Sequence, residues 1–133
     1  MSVYIIGQRA SLSKKFTTED VETFARISTD CNPVHLDDNY ASFSIFGKKI
    51  VHGFLSASLI SALIANKLPG PGSIYLSQEL KFLKPVYHND VIVAEVEIVD
   101  INHEKSIYIL NTKCYVNNQI VIDGRAIIKW NRV

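Results

Sequence analysis

Asp30 and His35 stand five positions apart in "STDCNPVHLD", residues 28–37. A carboxylate and an imidazole at that spacing can serve a metal, a nucleophile, an acid–base pair or a plain polar loop. A catalytic zinc site needs three protein ligands. His52, His88 and Cys31 could supply a third, but no HExxH or CxxC pattern organises them, so no metal is expected. The carboxylate beside Cys31 opposes thiolate formation by like-charge repulsion. Ser56, Ser58 and Ser61 lack the GxSxG turn of a serine nucleophile. That leaves two readings. Asp30 and His35 could share a water, one taking its proton while the other protonates a neighbouring carbon. Equally, Asp30 and Asn32 could cap or turn the loop, with His35 at the surface. The local residues leave both open.

The elements around the loop bear on the choice. Thr17, followed by Thr18-Glu19-Asp20, reads as a capped helix start, and Val21, Phe24, Ala25 and Ser28 share one face of a helix over 18–28. Asn32-Pro33 stops it, because a residue before proline avoids the helical region. Asp30 to His35 is then expected as a loop, followed by a short helix over about 37–43. A weakly alternating strand precedes it at about 10–16. "SASLISALIANKL", residues 56–68, is apolar on most sides and should be a buried helix, with His52-Gly53 marking its start and Pro69-Gly70-Pro71-Gly72 its end. The free N–H groups of a buried helix start can hold developing negative charge. Gly53 could serve that purpose, or simply fit a cramped start.

Four strand signals follow, at 73–83, 90–101, 105–116 and 119–130. Asn117-Asn118 marks a tight hairpin, and Gly124 a bulge or a close backbone approach. One buried helix with a run of antiparallel strands means an α+β fold. Strands this long leave edges that pairing with a second copy would cover.

The length of 133 residues suits one domain, 1–133, with a core of its own. A net charge of +1 gives no cause to expect nucleic acid or an anionic membrane as partner. The two cysteines, Cys31 and Cys114, lie far apart and read as free thiols of a reducing compartment. Residues 1–9 do not read as a secretory signal, and 51–66 is too short and too polar to span a membrane. A cytoplasmic protein is expected.

"STDCNPVHLD" followed by "KKIVHGFLSASLISALIANKLPGPGSIYLSQELKFLKPVYHND" (48–90) closely resembles the MaoC-like (R)-specific enoyl-CoA hydratases, in their short single-domain form. The D-x-N-P-x-H, IVHG and LPGxGSIYLxQ segments occur in the family's order and spacing, over about Leu12 to Lys129. The resemblance implies a hot-dog fold, a long central helix wrapped by an antiparallel sheet, and a homodimer. It implies reversible hydration of trans-2-enoyl-CoA to (R)-3-hydroxyacyl-CoA, with an acyl-CoA as partner and no metal or redox cofactor. It casts Asp30 and His35 as the catalytic dyad, and Asn32 as orienting the loop and the water. Gly53 would donate its N–H to the thioester oxygen, and Ser61 would support the dyad by hydrogen bonding. Many members carry glycine where this chain has Thr29. Leu59, Leu63, Ile64 and Ile128 are candidates for the acyl slot, and Lys48, Lys49, Lys81 and Lys84 for the coenzyme phosphates. A hot-dog acyl-CoA thioesterase and a non-catalytic acyl-binding subunit are the alternatives.

Overall fold

The computed structural model describes residues 4–132; Met1, Ser2, Val3 and Val133 lie outside the described residues, and with them both ends of the expected 1–133 domain. The architecture is α+β. Five strands, β1 (Arg9–Lys15), β2 (Ile74–Phe82), β3 (Val91–Asn102), β4 (Ile107–Val116) and β5 (Gln119–Lys129), form one antiparallel sheet in the order β1-β3-β4-β5-β2. The β3–β4–β5 meander follows from alternation. Ile92, Ala94, Val96 and Ile98 turn inward on β3, as do Tyr108, Leu110, Thr112 and Cys114 on β4. Asn117 and Asn118 both take positive φ, at 50° and 64°, which closes the β4–β5 hairpin with the twist its strands require.

Among the described residues there are also four helices: α1 (Thr18–Ser28), α2 (Pro33–Leu36), α3 (Asp38–Ser42) and α4 (Gly53–Asn66). α1 spans the expected residues. Thr17 caps it by accepting the Asp20 N–H while Asp20 accepts the Thr17 N–H, a reciprocal pair that satisfies two otherwise orphaned donors. α4 lies against β3, β1 and β4, and begins at Gly53, the start that His52-Gly53 marked. Its apolar composition matches its place: Leu55, Leu59, Ile60, Leu63 and Ile64 are closed into the core with Val21 and the inner residues of β3 to β5.

The expected loop from Asp30 to His35 needs correction. Pro33 does end α1's neighbourhood, but it also opens α2, and His35 sits on that one-turn helix. A proline at the first helical position gives up an N–H that would have no partner there, and its fixed φ suits the helix. Asn32 caps the turn by accepting the Val34 N–H at 3.2 Å.

Gly124 proves to be a close approach. It faces Leu80 across β2 and Thr112 across β4. A Cβ there would meet the Glu79 carbonyl group. Gln78 fills the remaining space, its Nε2 donating to Glu79 O at 2.8 Å and to Thr112 Oγ1 at 2.9 Å.

Candidate active site

The site is assembled where the end of α1, the turn of α2 and the start of α4 meet. α1 ends on Thr29, which holds a left-handed φ of 67°. That conformation is free for glycine and strained for a β-branched side chain. It reverses the chain so that Asp30 leaves the helix axis. The Asp30 N–H donates to Ser28 Oγ at 3.1 Å, and Asp30 Oδ1 accepts the Asn32 N–H at 3.3 Å. The turn role and a chemical role for Asp30 are therefore compatible: one carboxylate oxygen braces the turn while the residue remains exposed.

His35 is 8% exposed, so Asp30 lies at the mouth and His35 on the floor. The His35 Nδ1–H donates to the Ile50 carbonyl at 2.9 Å. That bond fixes the tautomer and leaves the Nε2 lone pair as the basic position. Burial, before any other influence, pulls the His35 pKa below its ordinary 6.5. The Ile50 carbonyl and Asp30 oppose that, and His52 adds to it.

The sequence offered His52 as the start of α4 and as one of three candidate third metal ligands, not as a neighbour of His35 in a stack. In the fold it is 1% exposed, and its ring stacks on His35 with centroids 3.8 Å apart and planes at 25°. Its Nε2–H donates to the Asp30 carbonyl at 2.9 Å. His88 joins from the segment before β3, with Nδ1 3.0 Å from Thr18 Oγ1. Its pKa is lowered, chiefly by burial and next by Lys49. Three of the four histidines thus gather at one place, which their sequence spacing does not signal because three separate segments carry them.

Donor atoms of Asp30, His35 and His52 all lie within 4.8 Å of one another. The set fits a metal poorly. His52 Nε2 and His35 Nδ1 are occupied as donors, and two rings stacked face to face aim their lone pairs side by side rather than at one point.

Gly53 is the first residue of α4, and neither its N–H nor that of Phe54 finds an acceptor among the described residues. A Cβ on Gly53 would stand 2.6 Å from the Phe82 ring, so the glycine also serves packing. A buried imidazole with Nε2 unengaged, an exposed carboxyl and an unused helix-start N–H therefore lie around the start of α4.

A pattern described as "MaoC like domain" matches residues 6–119. The chain is 43% identical over 125 residues to the (R)-specific enoyl-CoA hydratase of Aeromonas caviae, covering 93% of both chains. It is 42% identical to the enzyme of that name from Rhodospirillum rubrum, covering 92% of this chain and 85% of the relative. The solved structure of the A. caviae (R)-hydratase, described as involved in PHA biosynthesis, superposes with a TM-score of 0.95 over 98% of this chain and 100% of that one, at 41% identity.

The chain belongs to the MaoC-like family. Its sheet and central helix are that family's hot-dog fold.

The remaining expected residues of this MaoC-like chain fall in different places. Leu63 and Ile64 are closed into the core at 0% and 1% exposure, as are Leu59 and Ile128, and none lines the cavity beside Gly53. That cavity, about 380 Å³, is walled by Phe46, Gly53, Phe54, Ser56, Phe82 and Ile122 among others. The α4 serine that lines it is Ser56, buried with its Oγ unpartnered among the described residues. Ser61 is exposed on α4, and within this chain it makes no hydrogen bond to Asp30 or His35 among the described residues. The difference is one of helix phase: position 56 turns to the sheet and position 61 away from it. Of the lysines, Lys84 stands at the cavity rim, bonded to Gln119 at 2.9 Å. Lys49 is paired with Asp38, Lys48 lies over the Tyr87 ring, and Lys81 is exposed on β2. No helix among the described residues is long and apolar enough to cross a membrane.

Proposed function

We propose that the chain is an (R)-specific enoyl-CoA hydratase, adding water reversibly and syn to trans-2-enoyl-CoA to give (R)-3-hydroxyacyl-CoA. The observation that carries this is the free Nε2 of His35 beside Asp30 and the unused Gly53 N–H. The thioester oxygen accepts from Gly53 at the positive end of α4, which draws electrons from the double bond and leaves the β-carbon electrophilic. A water held between the dyad loses its proton to His35 Nε2 as its oxygen joins the β-carbon. Asp30 delivers the proton that completes the α-carbon, and His35 then returns its proton to Asp30. The pair thus carries one proton between them at rest. Asn32 supports this by bracing the turn through its cap of α2.

The reaction needs no metal and no redox cofactor, since every step is proton transfer to or from these groups. The apolar cavity beside Gly53 is of a size usual for small-molecule sites and takes the acyl tail. Lys84 at its rim suits a phosphate-bearing carrier. Free thiols at Cys31 and Cys114 accord with a cytoplasmic setting.

The assay is loss of enoyl absorbance with crotonyl-CoA, with a thiol reagent present. Absorbance loss without thiol release is the expected result. Thiol release instead would make the protein a thioesterase, and acyl-CoA binding with neither signal would make it a binding subunit.

Because His35 must be neutral while the pair keeps its one proton, kcat/KM should fall on the alkaline side as that proton is lost and on the acid side as His35 is protonated. The lowered pKa puts the acid limb below 6.5. An acid limb well above 6.5 would remove His35 from the base role.

The functional unit is a homodimer paired along β2. The two sheet edges differ: β1 carries Arg9, Lys14 and Lys15, whereas β2 and its end expose Ile74, Leu76, Phe82 and Leu83 at 48–55%. A charged edge resists pairing and an apolar one invites it. α4 adds Phe54, Ser58, Ser61 and Ala65 on its exposed stripe, and Phe54 touches Phe82 with ring centroids 5.7 Å apart. Leu76→Lys should therefore move the protein from dimer to monomer in sedimentation velocity, and Ser13→Lys on β1 should not. A monomeric wild type would refute the pairing.

A further inference from the structure

His52 is used by none of the steps above, yet it touches both members of the dyad. Its position precedes α4, where a side chain ordinarily caps the helix, but its ring makes no capping bond. The Nε2–H goes instead to the Asp30 carbonyl at 2.9 Å, and the ring face lies on His35 at 3.8 Å. Phe24 closes from another side, centroids 4.8 Å apart at 63°. Packing alone does not account for an imidazole here. Nδ1 is buried with no partner among the described residues, a penalty that phenylalanine or leucine in the same space would escape. What an apolar residue lacks is the donor to Asp30.

We propose that His52 is a positioning residue for hydration, its Nε2–H holding the Asp30 backbone and its ring face holding the plane of His35, so that the two dyad members keep one geometry. The inference rests on the hydratase reading and deepens it. Asp30 follows a left-handed Thr29 and is exposed, so its own turn restrains it weakly. His35 has a single hydrogen bond on its ring among the described residues, at Nδ1. His52 supplies the missing restraint on each from one rigid ring, at the start of the core helix. Loss of such a restraint acts on rate, because displacement of about 1 Å at reacting atoms costs up to about 10²-fold.

Two substitutions separate its contacts. His52→Phe keeps a ring face and removes the donor; His52→Gln keeps a donor and removes the ring. Each is expected to lower kcat for crotonyl-CoA about 10–100-fold, with KM within about 3-fold of wild type. The split between kcat and KM is the readout that a merely structural role would not give, and the acid limb adds a second. The groups around His35 are Asp30 from its own turn, His52 from α4, and His88 with Lys49 behind it. His52 is the one among those acting on His35 that lowers its pKa by charge, so His52→Gln should shift the limb to higher pH.

A measurement on the wild type guards against variants that do not fold. In the imidazole 15N spectrum at neutral pH, the His52 proton should reside on Nε2 and the His35 proton on Nδ1. Folded variants with wild-type kcat and an unmoved limb would overturn the proposal, as would a His52 proton on Nδ1. If the wild type itself fails to hydrate crotonyl-CoA, it is the hydratase reading that falls, and the 15N spectrum still decides whether His52 holds Asp30.

Discussion

Asp30→Asn and His35→Gln should each lower kcat for crotonyl-CoA hydration by about 10²–10⁴-fold, the range for loss of a general acid or base. Both substitutions preserve shape. Asparagine keeps an oxygen for the Asn32 N–H, and glutamine can still donate to the Ile50 carbonyl. The fold should survive, since Asp30 is exposed and His35 contributes one bond to a loop carbonyl. Circular dichroism and thermal melts near wild type are therefore part of the expected result. Residues that pass one proton between them act as a unit, so the double variant should be about as slow as the slower single one. A single variant that keeps more than about a tenth of the rate would place the chemistry elsewhere.

Gly124→Ala should be the most damaging single methyl in the chain. At β5's centre the added Cβ runs into the Glu79 carbonyl group, which is backbone held in the β2–β5 ladder, and comes within 3.2 Å of Gln78 Nε2. Neither can move without breaking a bond: the carbonyl is braced by Gln78, and Gln78 by the buried Thr112. The cost should reach or exceed about 3 kcal/mol, the upper end for overpacking. The melting temperature should then drop by roughly 10 °C. Gly53→Ala is the control. Its Cβ meets only the Phe82 ring, which is 48% exposed and can swing aside. That variant should melt within a few degrees of wild type. Equal melting temperatures for the two would refute the argument.

The motif that opens the site illustrates how far sequence reasoning reaches. Asp30 and His35 were identifiable as a pair, but their neighbours admitted a capped turn equally well. The turn reading holds for Asp30 and Asn32 but not for His35, which is buried rather than at the surface. Asp30 Oδ1 braces the turn and Asn32 caps α2, and the same turn presents His35 with Nε2 unengaged. Proline was read as a stop and is also a start, because the missing N–H that ends one helix is harmless at the first position of the next. Ser61, Leu63 and Ile64 show the opposite limit. Their places on α4 were right, but the direction each faces depends on how the helix is rotated against the sheet, which an almost uniformly apolar helix does not encode.

From its sequence alone this chain determined its strands, its two long helices, its α+β class and the placing of Asp30 and His35 around one turn. Each depends on periodicity, caps and turn residues within a few positions of one another. The tertiary structure alone decided that His52 lies on His35, that His88 joins them, and that Ser56 rather than Leu63 or Ile64 meets the cavity at Gly53. These contacts join segments far apart in the chain. They arise from the docking of α1 and α2 against the start of α4, which depends on the packing of the whole core.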